Sequence, residues 1–180
     1  WCHKDLRIES WLMGLVQVNK TVSDGSATTL KVTGIDSDNV YLLVLRLIQT
    51  QNNNETINMR VTKSGTADTT SNYDRAYKIF SSTSSFSNGV FVNGTGSRIM
   101  ENVDDANGGG QSLFYLYNFN SSSEYSFFTN ENVSTVSNQS AGVAGGAVHT
   151  VASASDGIEV YGSSTGTFIS GASAILYKVI

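Results

Sequence analysis

The 180-residue chain contains no proline and a single cysteine, Cys2. Without proline, loops and edge strands lack their usual punctuation, so glycine and clusters of Asn, Asp and Ser must make every turn. One cysteine excludes an internal disulfide and a cysteine-based zinc site. Charge is scarce too: Asp, Glu, Lys and Arg make up 14% of the residues, against roughly 25% in an average globular protein. The net charge is −4 and the eleven basic residues are scattered, so no phosphate-tracking surface forms and no nucleic acid partner is expected. The apolar stretches at 11–18 and 40–48 fall short of the roughly 20 residues a helical membrane span needs. No membrane span is expected.

What is present points to a folded, strand-rich domain. Eight Phe, eight Tyr and two Trp supply the bulky apolar groups that disordered chains lack. Ser, Thr, Asn and Gly take the place of charge, a composition suited to strands with polar outer faces joined by tight turns. Alternation of period two runs through 28–35, where Leu30 and Val32 share one face and Lys31 and Thr33 the other. Residues 40–48 read as a central strand buried on both faces. Ile57, Met59 and Val61 alternate with Asn58, Arg60 and Thr62. Further strands are expected at 73–80, 89–92, 97–103, 112–119, 124–130, 145–152, 157–161 and 172–180, with loops at 81–87 and 104–110. Short strands at this spacing imply a single antiparallel β-sandwich, jelly-roll-like. The expected division is an N-terminal arm or anchoring segment over 1–25 and a sandwich domain over 26–180.

The arm begins at Trp1 instead of an initiator Met, which leaves an upstream region open. Its two early cations and short apolar run loosely mimic a signal peptide but lack the small-residue cleavage pattern. A docked arm or short helix, with Leu6, Ile8, Trp11, Leu12 and Leu15 near helical spacing, is the better reading.

Several stretches imitate chemistry. Gly162-Ser163-Ser164-Thr165-Gly166 matches G-x-S-x-G literally, yet no Asp, Glu or His follows Ser164, as the usual hydrolase order requires. A turn is expected there, with Ser164→Ala nearly silent. The two histidines, His3 and His149, lie far apart, and alternation places His149 opposite Val148 as a solvated or interface residue. Asp36-Ser37-Asp38-Asn39 starts like a calcium loop but lacks its glycine and distal Glu. Asp104-Asp105 with Asn107 reads as another turn. Asn107-Gly108-Gly109-Gly110 lacks the continuation of a phosphate loop. Asn-x-Ser/Thr sequences at Asn19, Asn54, Asn93, Asn120, Asn132 and Asn138 are expected chance matches in an Asn/Ser/Thr-rich chain. No catalytic residue, metal site or cofactor is assigned.

Three stretches carry a resemblance: Asn72-Tyr73-Asp74-Arg75-Ala76-Tyr77; Leu113–Asn120 with Tyr125-Ser126-Phe127-Phe128 after it; and Asp156–Val160 with Gly166–Gly171, ending in Leu176-Tyr177-Lys178-Val179. Together, over about half the chain, they resemble virion structural proteins of tailed bacteriophages, marine ones in particular. The second stretch is similar to that family's paired aromatic strands and the third to its closing hairpin. The resemblance implies a non-enzymatic β-sandwich on the particle surface, decorating the capsid or forming a fibre. It implies identical subunits as partners, a trimer first among the choices, together with the capsid or a fibre anchor. A receptor- or glycan-binding tip is the alternative, with Tyr73, Tyr115, Tyr117 and Tyr161 as recognition or subunit-interface aromatics and a host surface glycan as ligand. A capsule-degrading enzyme is the third class, and it needs an acidic cleft or a His/Tyr pair.

Overall fold

A computed structural model of the chain describes residues 14–82, 84–104, 109–136 and 139–180. Among them every regular element is a strand: β1 (Leu15–Val22), β2 (Thr29–Thr33), β3 (Tyr41–Ile48), β4 (Glu55–Lys63), β5 (Thr66–Ala67), β6 (Tyr73–Ser81), β7 (Ser84–Gly94), β8 (Ser97–Val103), β9 (Gly110–Tyr117), β10 (Ser126–Val136), β11 (Gln139–His149), β12 (Gly157–Gly162) and β13 (Ser173–Val179). A large sheet runs β1-β13-β3-β9-β10-β11-β6-β7. A small one runs β2-β12-β4-β5, with β8 also paired to β4. The large sheet's neighbours pair antiparallel, as do the small sheet's. The fold is the expected antiparallel β-sandwich. It is jelly-roll-like in that the chain shuttles repeatedly between the two sheets.

The core follows from alternation. Ile57, Met59 and Val61 of β4, with Ile158 and Val160 of β12, face inwards. Opposite them lie Tyr41, Leu43 and Leu45 of β3, Phe114 and Leu116 of β9, and Leu176 of β13. Each such side chain, fully buried, contributes roughly 1.5–3 kcal/mol of transfer free energy. Turn chemistry matches the proline-free composition. Ser64 and Gly65, both at positive φ (50° and 70°), join β4 to β5 as a two-residue hairpin turn, in which both positions must be left-handed. Asp156 ties this turn down: its carboxylate accepts from Thr62 Oγ1 (2.6 Å) and Gly65 N (2.8 Å).

Several expectations change. From Leu15 onward the N-terminal arm docks as an edge strand, β1, against β13, so the division placed at residue 25 lies beyond the sandwich's first strand. Leu15 belongs to that strand instead of a helix, and residues 1–13 lie outside the described residues. The loop expected at 81–87 is largely strand, since β7 starts at Ser84. Residues 105–108 of the second loop lie outside the described residues, and with them the Asp105 and Asn107 readings. The resemblance's closing hairpin is not one: β12 pairs β2 and β4, whereas β13 pairs β1 and β3 in the other sheet. Polar residues do not always face outwards. In β10, Asn130, Asn132 and Ser134 are buried while Phe127 and Val133 are exposed. Asn132 turns inwards to give its amide N–H to Ile99 O and accept from Val143 N (3.1 Å).

Candidate functional site

One side of the sandwich is open. There the β6–β7 margin of the large sheet overhangs the β4–β8 margin of the small one. A cleft of about 390 Å³ lies between them, lined by three arginines, Arg60, Arg75 and Arg98, with Asn58, Tyr161 and Phe91 among its other walls. Period-two geometry explains how they converge. On β6, Tyr73, Arg75 and Tyr77 share the inward face. On β4, Asn58 and Arg60 alternate with the core residues Ile57, Met59 and Val61 and so emerge on the opposite face.

The arginines are held, not loose. Arg75, only 8% exposed, stacks its guanidinium over the Tyr77 ring at 3.8 Å. It gives an N–H to Arg98 O and pairs with Glu101 at 3.6 Å. Glu101 also accepts from Arg98 (2.9 and 3.0 Å) and from Tyr77 OH (3.1 Å). Arg60 lies over the Tyr161 ring at 4.0 Å, donates from Nε to Thr95 O (2.8 Å) and holds Glu159 loosely at 3.9 Å. Burial pulls the Arg75 guanidinium below the usual arginine range, against the opposite pull of Tyr77 and Glu101. Burial raises both phenols, Tyr77 and Tyr161, despite the arginines beside them, so both stay neutral near pH 7. Arg75 Nε is buried with no hydrogen-bond partner.

The four tyrosines singled out from the sequence do not gather. Tyr73 is core: it is 1% exposed, donates to Asp68 O (2.9 Å) and accepts from Val61 N (3.1 Å). Tyr115 stands 47% exposed on the outer face of the large sheet, Tyr117 is half-buried at the end of β9, and Tyr161 alone lines the cleft. Tyr77, Arg60, Arg75 and Arg98 were not picked out. The Tyr-x-Arg-x-Tyr spacing of β6 was the available signal, because it fixes a cation on the same face as two aromatics.

His149 is neither solvated nor at the surface. It is 1% exposed, donates from Nε2 to Asp68 Oδ2 (2.8 Å) and packs against Tyr73 with ring centroids 4.9 Å apart. Burial raises the Asp68 carboxyl, but hydrogen bonds from Thr70 and His149 outweigh it and hold the group below its ordinary value. His149 Nδ1 has no hydrogen-bond partner, so no hydroxyl is placed beside it as a nucleophile. Ser163 and Ser164 have a different task. Ser163 Oγ donates to Glu55 Oε1 (2.6 Å), and Ser164 meets the same carboxylate through its N–H (2.8 Å) and its Oγ. Asn52 Nδ2 donates to Ser164 Oγ (2.7 Å). The G-x-S-x-G segment is thus a turn wrapped around a buried carboxylate. Asp36 likewise serves its turn, accepting from Tyr41 OH (2.8 Å) and Lys178 (3.2 Å).

The outer faces of the two sheets differ sharply. On the small sheet, Lys31, Glu159 and Arg60 stand in cross-strand register as a charge ladder. On the large sheet, Leu113 (49%), Phe127 (44%) and Val133 (49%) are exposed beside Tyr115. Beside this apolar ridge runs a trough where β11 offers only Ala144 and Gly146, with Ala76 next in register on β6. No protein-family model matches the chain, and no curated protein or solved structure does.

Proposed function

We propose that the chain is a non-enzymatic structural module of a phage particle surface, working as an oligomer of identical subunits that decorates the capsid or builds a fibre. The observation that carries this reading is the apolar outer face of the large sheet. The small sheet's charge ladder is what a solvated face of this protein looks like, and the large sheet does the reverse. A ridge of Leu113, Tyr115 and Phe127 beside a trough of Ala76, Ala144 and Gly146 has the shape a second copy needs to interlock. Glu131 and Lys78 stand in the same cross-strand row as Leu113 and Ala144 and offer charges of both signs to a self-complementary contact. The β7 edge adds to this. Its eleven residues carry no charge and no proline, the devices by which a free edge is normally protected. Phe86, Val90 and Val92 are exposed along it. The resemblance of the β6, β9–β10 and β12–β13 stretches to virion proteins supplies the biological setting, and a trimer is the first choice of assembly.

Light scattering tests the oligomer: a species of three times the 19.3 kDa chain mass is expected. Leu113→Lys together with Tyr115→Lys should give a folded monomer, because Leu113 faces Glu131 and Tyr115 faces Thr129 across the ladder, where a lysine is tolerated. A wild-type monomer at micromolar concentration would overturn the reading, as would absence of the chain from purified particles. The second reading, a glycan-recognising tip, is favoured by the arginine cleft, whose walls mix hydrogen-bonding groups with an aromatic surface.

A further inference from the structure

We infer that the cleft between β4, β6, β7 and β8 binds the carboxylate of an acidic saccharide, with the guanidiniums of Arg60, Arg75 and Arg98 around the anion. This rests on the recognition reading and is independent of the oligomeric one. Charge arithmetic comes first. Three guanidiniums face two carboxylates, Glu101 and Glu159, which leaves one positive charge in a chain whose net charge is −4. Arginine stays protonated throughout the physiological range, so that excess is permanent and matches a monoanion. The second observation is the unpartnered Nε–H of Arg75 in a side chain 5% exposed. Buried donors are normally satisfied. Here a guanidinium already fixed by Tyr77, Glu101 and the Arg98 carbonyl has one donor left over beside an open cleft. A planar fork held in place in this way suits a carboxylate, which accepts two parallel hydrogen bonds.

The remaining walls separate a sugar from a bare ion. Phe91, half exposed at the mouth, offers an apolar surface for the C–H face of a pyranose ring. Asn58 and Ser163 provide amide and hydroxyl groups for ring hydroxyls. A cleft of about 390 Å³ admits a mono- or disaccharide, within the range of small-molecule sites. An inorganic anion would use the arginines and leave those walls idle.

Ligand-observed NMR titration of the full chain, in whatever assembly it forms, tests this with three probes: glucuronate, glucose and inorganic phosphate. Glucuronate is expected to bind at millimolar or better affinity, at least tenfold more tightly than glucose or phosphate. Arg60→Gln and Arg98→Gln, at partly exposed side chains, should each weaken it at least tenfold while leaving the urea-unfolding transition cooperative. Lys20→Gln, which removes the same charge from the exposed β1 edge, should leave binding unchanged. Equal binding of glucose and glucuronate would overturn the carboxylate assignment but keep the recognition reading. Tighter binding of phosphate would overturn the saccharide assignment. Equal losses in Lys20→Gln and Arg98→Gln would reduce the effect to general electrostatics and overturn the site. Binding of none of the three probes would overturn both the site and the recognition reading.

Discussion

Ser164 shows how a residue chosen for the wrong chemistry acquires a real role. Its N–H and Oγ both serve Glu55, which is 3% exposed, and a buried carboxylate stays ionised only if such donors surround it. Burial pushes the Glu55 carboxyl up, yet the hydrogen bonds from Ser163 and Ser164 win and hold it below the usual range. The expectation that Ser164→Ala is nearly silent therefore gives way to a loss of about 1.5–3 kcal/mol, the worth of a hydrogen bond to a charged group, measurable by urea denaturation. A carboxyl whose folded pKa is depressed contributes stability above its unfolded value of about 4.3 and loses it as pH falls through the folded value. Ser164→Ala raises the folded value, so the acid-unfolding midpoint should move to higher pH. An unchanged midpoint would show that the turn does not hold the charge. None of this was legible in the sequence, because Glu55 and Ser164 lie 109 positions apart and only the sheet pairing joins them.

Strands were the most legible elements, and their faces were less so. Wherever apolar residues alternate, as in Ile57-Asn58-Met59-Arg60-Val61, the inward face is the one expected. β13 behaves the same way, and Leu176, wholly buried between β1 and β3, tolerates no charge. Leu176→Asp should cost more than about 4 kcal/mol and leave no cooperative unfolding transition by circular dichroism; a folded variant would contradict the register. β10 defeated the simple rule, because composition favours placing Asn130, Asn132 and Ser134 outside. The protein reverses them since the amide of Asn132 reaches Ile99 O and Val143 N, and the apolar residues thereby pushed outwards form the ridge of the large sheet. The arginine cleft was hidden for a related reason. Arg60, Arg75 and Arg98 sit on three strands of two sheets, and their convergence depends on one sheet overhanging the other.

At the scale of the whole molecule, the two faces and the open side divide the labour: one face packs, one is solvated, and the cleft recognises. The pairing order sets a further constraint, this one in time. β13 lies between β1 and β3, and β12 between β2 and β4, so the strands synthesised first cannot complete either sheet until residues 157–179 have been made. Pairings this distant in sequence fold slowly, on the millisecond-to-second scale. Stopped-flow refolding from urea should fall in that range, and a chain ending at residue 172 should show no cooperative transition. While it emerges from the ribosome, the first half of the chain must stay soluble with its strands unpaired. Dense Ser, Thr and Asn spacing between its apolar residues protects that waiting intermediate, in a sequence with no proline and few charges to keep unfinished edges apart.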